Sequence, residues 1–301
     1  MESRQERLAK EAGSNFQTYL SRMAASAGFS TKQNIPSIIR ANRCHKILDV
    51  GCADGSFTQL IAGANPQASV EGLDINPECI NNAELRCRDL GPSVKFSCGE
   101  LKDLAEEDTY DCIVFSSVMH EISSYCEEEL TRFWRTPIED TIRMARKHLI
   151  RGGIIIIRDW VDATQGYSVN VRFRSGTRYA DMFQRFVDEF PALGAVGGAY
   201  YWDEDDPNKV MLTDRILMEF LMVATWGEES WTREINERKF ICDKKAWLDM
   251  AKTAGLKVIG WMETTEEYPV YCERIAEVTE DDGEDWVMPD TTFVMVCRKD
   301  D

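Results

Sequence analysis

Apolar and polar positions along this chain follow two rhythms, and the switches between them mark out its elements. Nearly continuous apolar runs stand at Lys46 to Val50, Ser69 to Asp74, Val94 to Cys98, Tyr110 to Ser116 and Gly153 to Arg158, the last with four consecutive isoleucines. Runs of this length predict strands, and their continuity predicts strands buried on both faces. Between them the apolar spacing turns helical, over Ser56 to Ala62, Pro77 to Leu90 and Glu127 to Leu149. Strand-helix alternation of this kind predicts a doubly wound α/β domain with a mostly parallel sheet. A helix over residues 5–27, ended by Gly28, and a second helix after Ser30-Thr31 are expected ahead of the first strand.

Over residues 160–240 the rhythm lapses. This stretch is rich in aromatic residues and arginines, too long and too apolar for a disordered loop, and is expected to fold as helices over the C-terminal edge of the sheet. The core pattern returns with Asp243 as a helix N-cap, a helix ending near Gly255, a strand over Leu256 to Met262 and a last strand over Thr292 to Cys297. The organisation read from the pattern is N-terminal helices at 1–43, a core formed by 44–160 and 241–301, and a substrate cap at 161–240.

Composition narrows the partners. With 52 acidic against 35 basic residues the formal net charge is −17, which disfavours broad, sequence-independent binding to nucleic acid or to an anionic membrane. No apolar run approaches the ~18 residues of a membrane span and no signal-peptide pattern is seen, so a cytoplasmic protein is expected. The ten cysteines form no C-x-x-C pair and no His/Cys cluster with metal-ligand spacing; reduced thiols and no metal are expected.

The candidate chemistry gathers where strands end. The first strand runs into Gly51-Cys52-Ala53-Asp54-Gly55, and a helix opens at Ser56. Glycine lets the backbone come close to a ligand, and the amides of a helix N-terminus are unpaired donors. The order Asp49-x-Gly51-x-Ala53-x-Gly55 departs from the dinucleotide fingerprint G-x-G-x-x-G, and a carboxylate at the strand end repels a pyrophosphate while suiting an ammonium or sulfonium group. Asp74 ends the second strand, placed to accept ribose hydroxyls, with Ile75 behind it for an adenine face; the alternative is a carboxylate capping the helix at Pro77.

In the loop after the fourth strand, a neutral His120 imidazole is able to take a proton from a nucleophile, and Glu121 is the other candidate base. A His120 that only bonds a backbone carbonyl is the competing reading. Arg158, ending the fifth strand, either orients a substrate or pairs with Asp159. Trp231 and Arg233 offer an aromatic plane beside a fork of donors, suited to a carboxylate, a phosphate or a ring, unless they belong to the cap's core.

The set Asp49-x-Gly51-x-x-x-Gly55, Asp74, Gly99-Glu100 and the strand ending at Ser116 resembles the motifs of the class I S-adenosylmethionine-dependent methyltransferases, a Rossmann-like family. The resemblance covers residues 45–160 by motif and 243–298 by strand order, with Ala53 where glycine is common. It implies a seven-stranded sheet of order 3-2-1-4-5-7-6 with the last strand antiparallel, and N-terminal helices over the cofactor cleft. It also implies S-adenosylmethionine held by Asp49, Gly51, Ala53, Gly55, Asp74, Ile75, Glu100, Leu101 and Ser116, with S-adenosylhomocysteine as product. The activity implied is methyl transfer; the cap is matched by nothing in the family, and with Arg158, Trp231 and Arg233 read from their own chemistry as substrate-binding candidates, the expected acceptor is an oxygen or nitrogen of a small molecule under the cap. A protein or RNA acceptor is the alternative, and a catalytically inactive relative that stabilises a partner is the reading of another class. The fourth strand lacks an Asn/Asp-Pro-Pro-Tyr motif, which counts against amino groups of bases or glutamine.

Overall fold

Helix α1 (Ser30–Ala41) leads into the first strand, β1 (Lys46–Val50), in a computed structural model that describes residues 30–174, 176, 178–266 and 268–301. The helix expected over residues 5–27 lies outside the described residues. The chain then alternates as the pattern predicts: α2 (Ser56–Ala64), β2 (Ser69–Asp74), α3 (Pro77–Cys87), β3 (Val94–Cys98), β4 (Tyr110–Ser116), α4 (Met119–Ser124), α5 (Thr136–Lys147) and β5 (Leu149–Trp160). Local chemistry sets several of these boundaries. Asn76 caps α3 by accepting from the Glu78 amide at 2.9 Å, and Pro77 follows in the first turn, where its missing N–H costs no helical hydrogen bond. The helix expected from Glu127 begins only at Thr136, because Pro137 fits a first turn and would break an interior one.

The cap follows, with β6 (Ser168–Phe173), α6 (Arg178–Glu189), α7 (Leu193–Val196), β7 (Tyr200–Trp202), β8 (Lys209–Thr213), α8 (Asp214–Trp226) and α9 (Trp231–Glu234). The core resumes in α10 (Lys244–Thr253), capped by Asp243 through a 2.7 Å bond to the Ala246 amide, and β9 (Lys257–Thr264). Helix α11 (Tyr268–Cys272), β10 (Ala276–Glu280) and the last strand, β11 (Thr292–Arg298), complete the chain.

Seven strands pair in the order β3-β2-β1-β4-β5-β11-β9, which in core numbering is 3-2-1-4-5-7-6. Pairs among β1 to β5 are parallel, and β11 runs antiparallel to both β5 and β9. Both faces of the central strands are covered, which is why β1, β4, β5 and β11 are mostly buried and apolar. Leu48, Ile113 and Ile155 pack with Ile142 and Trp247 on one side, and Ile47, Val114 and Ile156 pack with Ile39 and Ile61 on the other.

The cap is not helical alone. It contains a second, antiparallel sheet, β10-β6-β8-β7, whose edge strand β10 comes from the later insertion. The missed signal is a period of two: in Ser168–Phe173 the exposed Ser168, Asn170 and Arg172 alternate with the buried Val169, Val171 and Phe173. Phe183, Phe186, Phe220 and Trp231 form the cap's own core, which Cys272 and Ile275 join. All ten cysteines are free thiols, and no helix among the described residues is long and apolar enough to cross a membrane.

Candidate active site

A cavity of ≈ 190 Å³ opens at the C-terminal ends of β1, β2 and β4, where the strand order reverses and open α/β sheets bind ligands. Its floor is the turn after β1. Gly51 (φ 72°), Ala53 (φ 46°) and Gly55 (φ 74°) all take left-handed angles there. A Cβ on Gly51 would lie 2.5 Å from Val118 Cγ2, so glycine is what lets this turn sit against the loop after β4. Asp74 pins the turn: its carboxylate oxygens accept from the Ala53 amide and the Asn76 amide, each at 2.9 Å. Asp74 itself lines the cavity.

Eight of the residues expected from sequence line this cavity: Gly51, Ala53, Asp74, Ile75, Glu100, Leu101, Glu121 and Arg233. Glu100 opens a short turn whose box with Asp103 fixes the Leu101 backbone, and its side chain pairs with Lys102. Val118, Ile122, Thr141 and Met144 also line it and were missed. Val118 stands two residues before His120 and carried no signal beyond its place after a strand end. Thr141 and Met144 lie on α5, far from any motif.

The other candidates stand behind the wall. Asp49 lies beneath the turn, where its carboxylate accepts from Thr58 Oγ1 at 2.6 Å. Burial pushes its acid up to about 6, opposed by Thr58 and Lys32. It is not among the residues that line the cavity. Gly55 faces Ala83 of α3. At the end of β4 the wall is made by Ser117 and Val118 rather than Ser116. Trp231 is buried in the cap and donates to Glu189 Oε2 at 2.7 Å. Arg158 is buried in an ion pair with Glu266 at 2.6 Å and donates to Thr31 Oγ1 at 3.1 Å, so its partner is Glu266 and not the adjacent Asp159.

The surroundings of His120 favour a charged imidazole over a free base. The imidazole is buried, with Nδ1 2.7 Å from Asp159 Oδ1 and Nε2 3.6 Å from Glu237 Oε2. Burial disfavours its charged form, yet the carboxylates of Asp159 and Glu237 outweigh burial and hold the ring protonated up to about 9. A protonated imidazole has no lone pair with which to accept a proton. Asp159 is itself fixed by the Met119 amide at 2.7 Å and the Trp160 amide at 2.8 Å.

Glu121 and Arg233 meet in the cavity wall, Nη2 to Oε2 at 3.0 Å, one from the core and one from the cap. Burial raises the acid range of Glu121, while Arg233 opposes that rise. Glu237 holds Arg233 from behind, 3.2 Å from Nε, and pairs with the buried Lys239, which also bonds Glu234 at 2.8 Å. His120, Glu121 and Glu237 bring potential ligand atoms within 4.8 Å of one another. Arg233 pairs with Glu121 and Glu237, and Lys239 pairs with Glu237, so these carboxylates take part in an ion-pair network.

Residues 47–153 match the profile of a family described as a methyltransferase domain, across the strands and turns that form this cavity. Over that segment the chain is similar to a methyltransferase domain. Among curated relatives, a malonyl-[acyl-carrier protein] O-methyltransferase of Paenibacillus sp. is 29% identical over 115 residues, 37% of this chain and 37% of the relative. A trans-aconitate 2-methyltransferase of Mycobacterium tuberculosis is 26% identical over 104 residues, 33% of this chain and 38% of the relative. These matches thus span little more than a third of either relative's length. The solved structure of an O-methyltransferase family protein from Burkholderia thailandensis covers 99% of this chain and 63% of its own, with a TM-score of 0.53 at 11% identity, a likeness of fold. The cap lies outside the segment that the family profile matches.

Proposed function

We propose that the protein transfers a methyl group from S-adenosylmethionine to an oxygen or nitrogen of a small molecule held between the core and the cap. The observation that carries this reading is one continuous cavity whose walls include both the Gly51, Asp74 and Leu101 side and the Glu121 and Arg233 side. The residues present fit the cofactor. Gly51 leaves the turn backbone bare, Asp74 offers acceptor capacity for ribose hydroxyls, and Ile75 and Leu101 supply apolar surface for a purine. When bound, S-adenosylmethionine supplies an electrophilic methyl group on a positively charged sulfur.

The chain's own residues do the rest. Val118 and Ile122 exclude water from the acceptor side, and Glu121 with Arg233 orients the acceptor, so positioning and desolvation carry much of the rate. Both relatives are named for small or carrier-borne acids, which favours a small acceptor over a nucleic acid for a chain with a net charge of −17.

Calorimetric titration with S-adenosylhomocysteine tests the cofactor reading, with NADH as control. Micromolar binding to the unmodified protein, lost in Asp74→Ala and partly kept in Asp74→Asn, is expected. Equal binding of NADH, or none of S-adenosylhomocysteine by ligand-free protein, rejects it.

A further inference from the structure

A second groove, of ≈ 500 Å³, lies at the seam between core and cap, and among the described residues it shares none of its lining with the cavity at the strand ends. Two of the chain's crossings between core and cap run through it, the outgoing one at Asp162 and the returning one at Ile241 to Asp243. The Asp162 amide donates to the Cys242 carbonyl at 2.9 Å, so the crossings are joined to each other. Arg135, just before α5, stands on the core side, and Arg215, the second residue of α8, stands on the cap side. Asp214 fixes the start of α8 to the outgoing crossing by accepting from the Gln165 and Gly166 amides at 2.8 and 2.9 Å.

The second observation concerns charge. Among the described residues, neither the Arg135 nor the Arg215 guanidinium has a carboxylate within ion-pair distance or a hydrogen-bond acceptor. That is unusual in a chain with 52 acidic against 35 basic residues; on the cap surface Arg172, Arg174 and Arg185 each meet a carboxylate at 2.8 to 2.9 Å. The groove's own carboxylates are engaged locally: Asp162 accepts from the Thr164 amide at 3.1 Å, and Asp243 caps α10. Two like charges presented from opposite sides of one groove repel, and an oxyanion between them neutralises both through charge-assisted hydrogen bonds. Beside them the Trp134 indole is 53% exposed and Leu130 is 94% exposed, apolar surface open to a ligand.

We propose that this groove is a second ligand site, which takes a small organic anion. Its oxyanion, a carboxylate or a phosphate, is held between Arg135 of the core and Arg215 of the cap, and its aromatic or apolar body lies against Trp134 and Leu130. A guanidinium fork suits either oxyanion, and an indole face adds contact area that a hydrated inorganic ion does not use. Bound there, the anion ties core to cap beside two of the crossings that join them. The site is independent of the methyltransferase reading above, because none of its residues lines the candidate active site.

The test is calorimetric titration of the full chain with 1-naphthyl phosphate and 1-naphthoate, against neutral 1-naphthamide and against inorganic phosphate. At least one naphthyl anion should bind about tenfold or more tighter than both comparison compounds, and which one does so separates a phosphate from a carboxylate ligand. Its preference over the amide should fall about fivefold or more in Arg135→Gln and in Arg215→Gln, and vanish when the two are combined. Arg233→Gln, in the candidate active site, should leave the anion's affinity within about twofold, which places the ligand in the groove rather than the cavity. Melting temperatures within about 2 °C of the unmodified protein show that each variant is folded. Anions binding no better than the amide or than inorganic phosphate, a preference that either Arg135→Gln or Arg215→Gln keeps, or one that Arg233→Gln removes, overturns the assignment.

Discussion

The carboxylate of Glu237, supplied by the cap, lies 3.6 Å from the imidazole of His120, supplied by the core, and closes a buried chain of charge that runs from Asp159 to Arg233. The pair favours the charged form of the histidine in the post-β4 loop. It also ties the residue that orients Arg233 to the loop that forms the cavity wall.

Removing that carboxylate has a readable consequence. In Glu237→Gln the His120 imidazole, held up to about 9 in the unmodified protein, should titrate at least about one pH unit lower, measured from its ring resonances. The sign of the stability effect follows from the same shift. The folded pKa of His120 is raised above the ordinary imidazole value of 6.5, so its stabilisation is present in full below about 6.5 and is lost as pH rises through about 9. Urea unfolding between those limits should show a fall of up to roughly 3 kcal/mol that His120→Asn flattens. An unchanged slope in His120→Asn would show that other groups carry the dependence.

Two glycines close in sequence should respond in opposite ways. Gly51→Ala places a methyl 2.5 Å from Val118 Cγ2 at φ 72°, so it should cost about 1–3 kcal/mol and weaken S-adenosylhomocysteine binding more than tenfold. Gly63→Ala, in helix α2 with nothing within 4 Å of the added carbon, should stabilise by roughly 0.5–1 kcal/mol and leave binding alone. Thermal unfolding and calorimetry on both variants check this.

The buried pair of Arg158 and Glu266, at 2.6 Å, joins the end of β5 to the insertion after β9. Arg158→Ala leaves Glu266 buried without its guanidinium and should destabilise by about 3–5 kcal/mol. The double variant Arg158→Met with Glu266→Gln should recover much of that loss, because neither buried charge remains. Urea unfolding of the two proteins decides the point, and equal losses would show that Glu266 finds another partner.

What the sequence by itself determined is what near neighbours decide. The strands, the glycine turn of Gly51 to Gly55, Asp74 at the end of β2 and the Asp243 cap all depend on local pattern, while the 3-2-1-4-5-7-6 order is what the resemblance to a known family implied. Even the late start of α5 was legible in Pro137, and the cap's strands in the alternation from Ser168 to Phe173. Tertiary structure alone decided which charges meet. Arg233 finds Glu121 across 112 residues and Arg158 finds Glu266 across 108, and no periodicity encodes such partners. A side chain's protonation and its access to the cavity depend on how far water is excluded and on which opposite charges are brought close. Both are set only when the cap folds back on the core, which is why His120 and Glu121, adjacent in sequence, ended on opposite sides of the wall.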